Sequence, residues 1–518
     1  MRVMLGVCVL AAGVALAQPA DALPRQPSDF LKCDGQPKPG AAARRAGAAL
    51  ATTATLGFSN LFYRAPEAPL ARPAATGLAG VEACDVVLAH EDVANDWARR
   101  AQMLRFRAMH NLVAGNANAA LEDIARMREV AGSNTSEIAF ARSIGASASF
   151  VEAAALSRLG RFEEAEARLA EGLAARPYAP SAHSMARWIL VLDPAAREGE
   201  VAIVGRLAAV APAGRVSHAL ALDAKGDLEA AADAWAQLAE NPVMEEKSRT
   251  RRPVVAHLMR ASLAAARAGR LEQADAYLQR AEHAAAAELA QGVESALKSG
   301  ELVRNEGVWV RAMRLLREGD AAEANALIED VDLKKDFVPA LVDIRAQRPA
   351  RPLSIEGTIE SVRAERSGWL NAEQYLLALP EFAPGRPDPN SPVAIYEAAG
   401  FTKKTTESGG VRLSYAGARY PLPTAEEALY LWAADLAKQA GKRGFSVDSW
   451  SALDATDPRV RAELARLAAL SPDFTSATIT VSFQDEPANG MPFLEAAAVS
   501  QALRKALSAA PASASGNR

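Results

Sequence analysis

"LGRFEEAEARLAEGLAARP", residues 159–177, reads as the end of one helix, a glycine turn, an amphipathic helix and a proline stop. Counted from Gly160, Phe162, Ala165 and Leu169 fall at +2, +5 and +9, spacings that share one helix face. The same set recurs at Gly115 with Ala117, Ala120 and Ile124, and at Gly226 with Leu228, Ala231 and Trp235. It recurs again at Gly269 with Leu271, Ala274 and Leu278, and at Gly319 with Ala321, Ala324 and Ile328. Seven residues before each glycine stands a small residue: Ala108, Ala153, Ala219, Ser262 and Ala312. Glycine supplies the left-handed residue that ends one helix and turns the chain. Small residues at −7 and +5 let two helices approach closely. The pattern therefore predicts packed helical hairpins, each burying its face against its neighbours.

These residues, above all "GRFEEAEARL" and "GRLEQADAYL" with Pro177 at the closing position, resemble the tetratricopeptide repeat (TPR) family across residues 95–335. The glycines stand 45, 66, 43 and 50 residues apart, against a family period of about 34. Longer helices, or helices without the glycine signature, are expected to intervene. The family's alanine three residues past +9 is met only by Ala281. The resemblance implies an α-solenoid of antiparallel helix pairs with a concave groove. Position −2, occupied by Arg158, Arg267 and Arg317, would line that groove, as would position −10, occupied by Arg105, Phe150, Val216, Met259 and Trp309. Arginines there are suited to grip a carboxylate-bearing peptide, with Phe150 and Trp309 as anchors. Plainer readings stand beside this one. A cation in the last turn of a helix is favoured by about 0.3–1 kcal/mol in any case, and the aromatic residues fit core packing equally well.

The N-terminus carries an address. Met1-Arg2 precede the apolar run "VMLGVCVLAAGVALA" (3–17), followed by small-x-small sites at Ala15-Leu16-Ala17 and Ala20-Asp21-Ala22. Residues 1–22 are read as a cleaved secretory signal peptide, which sends the protein to the periplasm. Cys8 leaves with the signal, so Cys33 and Cys84 remain as a pair in an oxidising compartment, and a disulfide between them is expected. Residues 23–94 read as a partly irregular N-terminal arm and 95–345 as the helical repeat domain. The proline-rich "RAQRPARPLS" (345–354) marks a boundary.

Residues 346–508 read as a small α+β domain with an antiparallel sheet, and 509–518 as a disordered tail. The strands are "GVRLSYAGARYPLP", "FSVDSW" and "TSATITVSFQDE". "TAEEALYLWAADLAKQAGKRG" reads as a helix with Thr424 as N-cap, Glu427 completing a capping box and Gly441 closing it. "NGMPFLEAAAVSQALRKAL" reads as a last helix. Residues 400–450 resemble a domain of small proteobacterial envelope lipoproteins, with a Gly-aromatic start, a strand ending in Gly, then a helix. Trp432-Ala433-Ala434-Asp435 departs from that family's helix. This resemblance implies only an envelope address.

Composition and motifs narrow the chemistry. Lys+Arg total 58 and Asp+Glu 62, for a net charge of −4, without the basic excess of a nucleic-acid binder. No later segment reaches 18 unbroken apolar residues, so no integral membrane span is expected. The six histidines lack His-x-x-x-His spacing, and two cysteines fall short of a structural zinc site. Neither a phosphate-binding glycine loop nor a Gly-x-Ser-x-Gly elbow is present. The expectation is a periplasmic scaffold or adaptor that binds a protein or peptide, with no catalytic residue, metal or cofactor. Two alternatives stand beside it. One is an enzyme whose site lies in the C-terminal domain, with Asp435, Asp448 and Asp485 as acid/base candidates. The other is a structural protein bound to peptidoglycan or lipid.

Overall fold

A computed structural model describes residues 26–38, 70, 73–190, 198–241, 252–293, 296–328, 395–407, 409–417, 420–454, 475–487 and 492–508. Residues 1–22, read above as a signal peptide, the proline-rich stretch 345–354 and residues 509–518, read as a tail, lie outside the described residues. The chain is mainly helical, with one small antiparallel sheet near its C-terminal end.

Two helices come first, α1 (Asp29–Asp34) and α2 (Gly77–Leu88), joined by a disulfide between Cys33 and Cys84. The first hairpin follows, α3 (Trp97–Val113) and α4 (Ala117–Ala131), turning at Gly115. Its α3 packs along α2, so the packed helices begin before residue 95. Gly80 makes that contact close: a Cβ there would meet the His110 ring at 2.3 Å. His110 is wholly buried and its Nε2 lies 2.8 Å from the Cys33 carbonyl oxygen, the geometry of an N–H donating to C=O.

The second hairpin, α5 (Ala146–Arg158) and α6 (Phe162–Ala175), turns at Gly160 and is entered through a π-helical turn, Ala141–Gly145. Two helices without the glycine signature come next, α7 (Pro180–Leu190) and α8 (Glu198–Val210), and they account for the long 66-residue spacing. Three further hairpins follow. The pair α9 (Ala213–Lys225) and α10 (Leu228–Glu240) turns at Gly226. The pair α11 (Arg252–Arg267) and α12 (Leu271–Ala290) turns at Gly269. The pair α13 (Ala296–Glu318) and α14 (Ala321–Leu327) turns at Gly319.

All five turn glycines have φ between +73° and +96°. A Cβ at any of them would meet nothing within 4 Å, so the left-handed backbone alone calls for glycine. The small residues at −7 are all 0 % exposed, and the residues at +5 and +9 are buried beneath them. In the fourth hairpin the contact is direct, because the Ser262 hydroxyl at −7 donates to the Ala274 carbonyl at +5, 2.7 Å away.

The C-terminal sheet has the order β1-β2-β4-β3-β5, antiparallel throughout. Its strands are β1 (Phe401–Thr405), β2 (Val411–Gly417), β3 (Gly444–Asp454), β4 (Thr475–Gln484) and β5 (Leu494–Glu495). The helices α15 (Leu422–Gln439) and α16 (Ala496–Ser508) pack with it. Ala477, Ile479 and Val481 alternate along β4 with half-buried hydroxyl residues, and they share a core with Ala425 and Leu429 of α15 and Leu503 of α16. Gly441, at φ +68°, closes α15 as expected.

The start of α15 differs from the expectation. The helix begins at Leu422 with Pro421 as N-cap. Pro423 is compatible with the first turn, where its missing N–H would have no helical partner. Thr424 and Glu427 therefore lie inside the helix, both buried, and form no capping box. The core under α15 is shared with the helical array, for it includes Leu207 and Val210 of α8 and the following Ala211.

Candidate functional site at the joint between array and sheet

A cluster of buried polar groups lies where α15 meets the array. Arg142 stands in the π-helical turn before α5, and Arg176 is the C-cap of α6. Each is fixed by the other's segment. The Arg176 Nε donates to the Arg142 carbonyl at 2.8 Å, and Arg142 Nη1 donates to the Ala175 carbonyl at 2.7 Å. Both guanidinium groups then converge on one oxygen of Glu427, Arg176 Nη1 at 2.7 Å and Arg142 through Nη2. Arg176 also reaches the Thr424 hydroxyl at 3.3 Å.

The neighbouring Glu426 makes a second set of contacts. Its Oε2 accepts from the Ser181 hydroxyl at 2.6 Å and the Ser181 backbone N–H at 3.2 Å. Ser181 is in the first turn of α7, where backbone N–H groups lack helical acceptors and favour a carboxylate. Its Oε1 accepts from the Trp450 indole N–H on β3 at 3.2 Å. One turn further along α15, the Tyr430 hydroxyl donates to the Val210 carbonyl, and its ring stacks on Tyr178 at 6.3 Å. Arg215 of α9 adds a bond to the Val447 carbonyl of β3 at 3.0 Å.

Glu426 and Glu427 are both 0 % exposed. Burial pushes the Glu426 carboxyl up to about 8; the Ser181 and Trp450 donors oppose that rise and the adjacent Glu427 adds to it. Burial likewise lowers the Arg176 guanidinium, with Glu427 as the main opposing influence, and raises the Tyr430 phenol. Desolvated charges of this kind persist only where partners surround them. The arrangement is thus a clasp, which holds the sheet unit in one register on the array.

The candidate groove residues lie elsewhere. Phe150, Met259 and Trp309 are 0 %, 1 % and 2 % exposed, inside the seams between helices. Phe150 packs so tightly that a Cβ on Gly172 would meet its ring at 2.9 Å. The three arginines at −2 share one habit. Arg158 of α5 donates to the Leu112 carbonyl in the last turn of α3. Arg267 of α11 forms an ion pair with Asp223 in the last turn of α9. Arg317 of α13 donates to the Arg267 carbonyl at the end of α11. Each therefore places a cation at the negative end of an earlier first helix, where the helix dipole favours it. They stitch hairpins together along the array and are not gathered into one site.

The three aspartates proposed for the enzyme reading are held by separate partners. Asp435 accepts from Tyr396 at 2.6 Å, Arg504 at 2.7 Å and Ser500 at 3.3 Å. Asp448 accepts from Ser482 at 2.6 Å, and Asp485 from Lys442 at 2.8 Å. Among the described residues, no group of three His, Cys, Asp or Glu side chains could hold a metal ion, and no helix is long and apolar enough to cross a membrane.

Sequence reasoning missed Arg142, Arg176, Ser181 and Glu426. One signal was present: "TAEEALYLWAA" is apolar on nearly every face, the mark of a buried helix, and it carries two adjacent carboxylates that must then find partners. No protein-family model matches this chain, and no curated protein matches it.

Proposed function

We propose that this chain is an exported, tetratricopeptide-like scaffold of a bacterial envelope that presents its helical array to a protein partner. The observation that carries the reading is the set of five hairpins, each turned by a positive-φ glycine over a buried small residue. Such arrays bury only the seams between neighbours and leave their outer surface for recognition. Here the arginines at −2 are spent on stitching, so recognition falls to outward residues such as Leu289 of α12 and Leu297 of α13, 60 % and 73 % exposed. Scaffolding is inferred from the fold, and export from the reading of residues 1–22 as a signal peptide.

The test is photo-crosslinking in intact cells, with the crosslinker at Leu289, at Leu297 and, for the sheet unit, at Lys404. The reading expects the protein to fractionate with the periplasm and to give a discrete protein adduct from the array positions. Adducts from Lys404 alone, or a cytoplasmic protein with no adduct, would overturn it.

A further inference from the structure

We infer that seating the C-terminal unit on the array takes up one proton, held by Glu426, so that the joint loosens as pH rises. The geometry supplies the reason. Glu426 lies in the contact between two separately built parts of the chain, with no exposed surface, and all three of its hydrogen-bonding donors come from other elements: Ser181 of α7 twice and Trp450 of β3. None of those donors carries a charge. The charged groups nearby are already engaged. Arg142 and Arg176 both turn to Glu427, which stands beside Glu426 on α15. From α9, Arg215 faces β3 through the Val447 carbonyl, with Asp448 as its charged neighbour. His183 of α7 turns to the Pro177 carbonyl, and Tyr430 of α15 to the Val210 carbonyl. Glu426 is thus buried in the joint without an ion pair of its own; desolvation favours its neutral acid, whose O–H the Ser181 hydroxyl 2.6 Å away can accept, against the pull of the net positive charge of Arg142, Arg176 and Glu427.

The direction follows from linkage. In the seated state burial holds the Glu426 carboxyl near 8, whereas a released, solvated glutamate titrates near 4.5. Between those values the seated form keeps a proton that the released form has lost. Seating therefore weakens by up to tenfold for each unit of pH rise, or about fifty-fold between pH 6 and pH 8.

Hydrogen exchange on the full chain reads this directly. The probes are the Ser181 amide and the amides of the first two turns of α15, expressed as protection factors to remove the intrinsic pH dependence of exchange. The amides of α3 and α4 serve as internal reference. The wild type should lose about fifty-fold protection at the joint between pH 6 and pH 8, with the reference unchanged. Glu426→Gln, which keeps the shape and cannot ionise, should hold its protection constant across that range. A wild-type joint whose protection changes less than threefold would overturn the inference. So would a Glu426→Gln joint that loosens as much as the wild type. Should the Gln variant lose the α3–α4 reference as well, the wild-type profile alone decides.

Discussion

His183 shows what one buried side chain contributes to the pH response. It is wholly buried on α7, its Nε2 is 3.0 Å from the Pro177 carbonyl, and burial pushes it down to about 4 from an ordinary 6.5. The unfolded chain therefore takes up a proton that the folded chain refuses. Stability from this residue is intact above about pH 6.5 and is lost as pH falls towards 4, by about 3 kcal/mol in all. Glu426 acts in the opposite direction over part of the same range, so the two are separated by comparison. His183→Gln keeps an N–H donor and cannot take up the proton. Chemical unfolding of wild type and variant at pH 7 and pH 4.5 should show the wild type losing about 2 kcal/mol more. Equal losses would show that His183 is not the buried neutral base described here. Glu427 marks the limit of what one residue reveals in sequence. Its spacing from Thr424 fits a capping box as well as any, and only a partner 251 residues away in the chain shows its use.

At the scale of helices and turns the sequence was most legible, because the determinants are local. A left-handed turn residue needs glycine, and a close helix crossing needs alanine or serine, whatever lies further off. The five hairpins follow from those two facts, and so do their boundaries: each second helix begins two residues past its glycine. The helices α7 and α8 carry neither signal and were visible only as an overlong interval. The same logic separates two substitutions. Gly160→Ala meets no atom within 4 Å and pays only for its backbone, about 1–2 kcal/mol. Ala153→Leu forces a larger side chain into a fully buried crossing, at a cost of about 1–3 kcal/mol, with repacking of α5 against α6. Near-ultraviolet circular dichroism with chemical unfolding tells them apart. The first variant should keep the wild-type spectrum and the second should change it. Groove and seam were not separable in sequence, because Phe150 and Trp309 have the same apolar character in either setting. Burial assigns both to the seam.

The whole molecule is organised by a joint that no local pattern encodes. Leu207, Val210 and Ala211 from the array share a core with α15 and the sheet. At the edge of that core, Arg142 and Arg176 meet Glu427. Burial of those apolar side chains favours the contact, and the ion pairs restrict its register, since a buried charge tolerates few alternative positions. An array and a sheet joined this way present their outer surfaces in a fixed relation, which suits a scaffold. Of how the two parts meet, the sequence carries a single trace, the adjacent carboxylates Glu426 and Glu427 within an otherwise apolar helix. A double-mutant cycle on Arg176→Met and Glu427→Gln, followed by chemical unfolding, measures that meeting most directly. Glu427→Gln leaves both guanidinium groups buried without a carboxylate and should cost about 3–5 kcal/mol, whereas Arg176→Met leaves Glu427 its Arg142 partner and should cost less, about 1–3 kcal/mol. The double variant should cost less than their sum, with a coupling of about 2 kcal/mol. Strictly additive losses would mean that Arg176 and Glu427 do not touch, and the joint described here would be wrong.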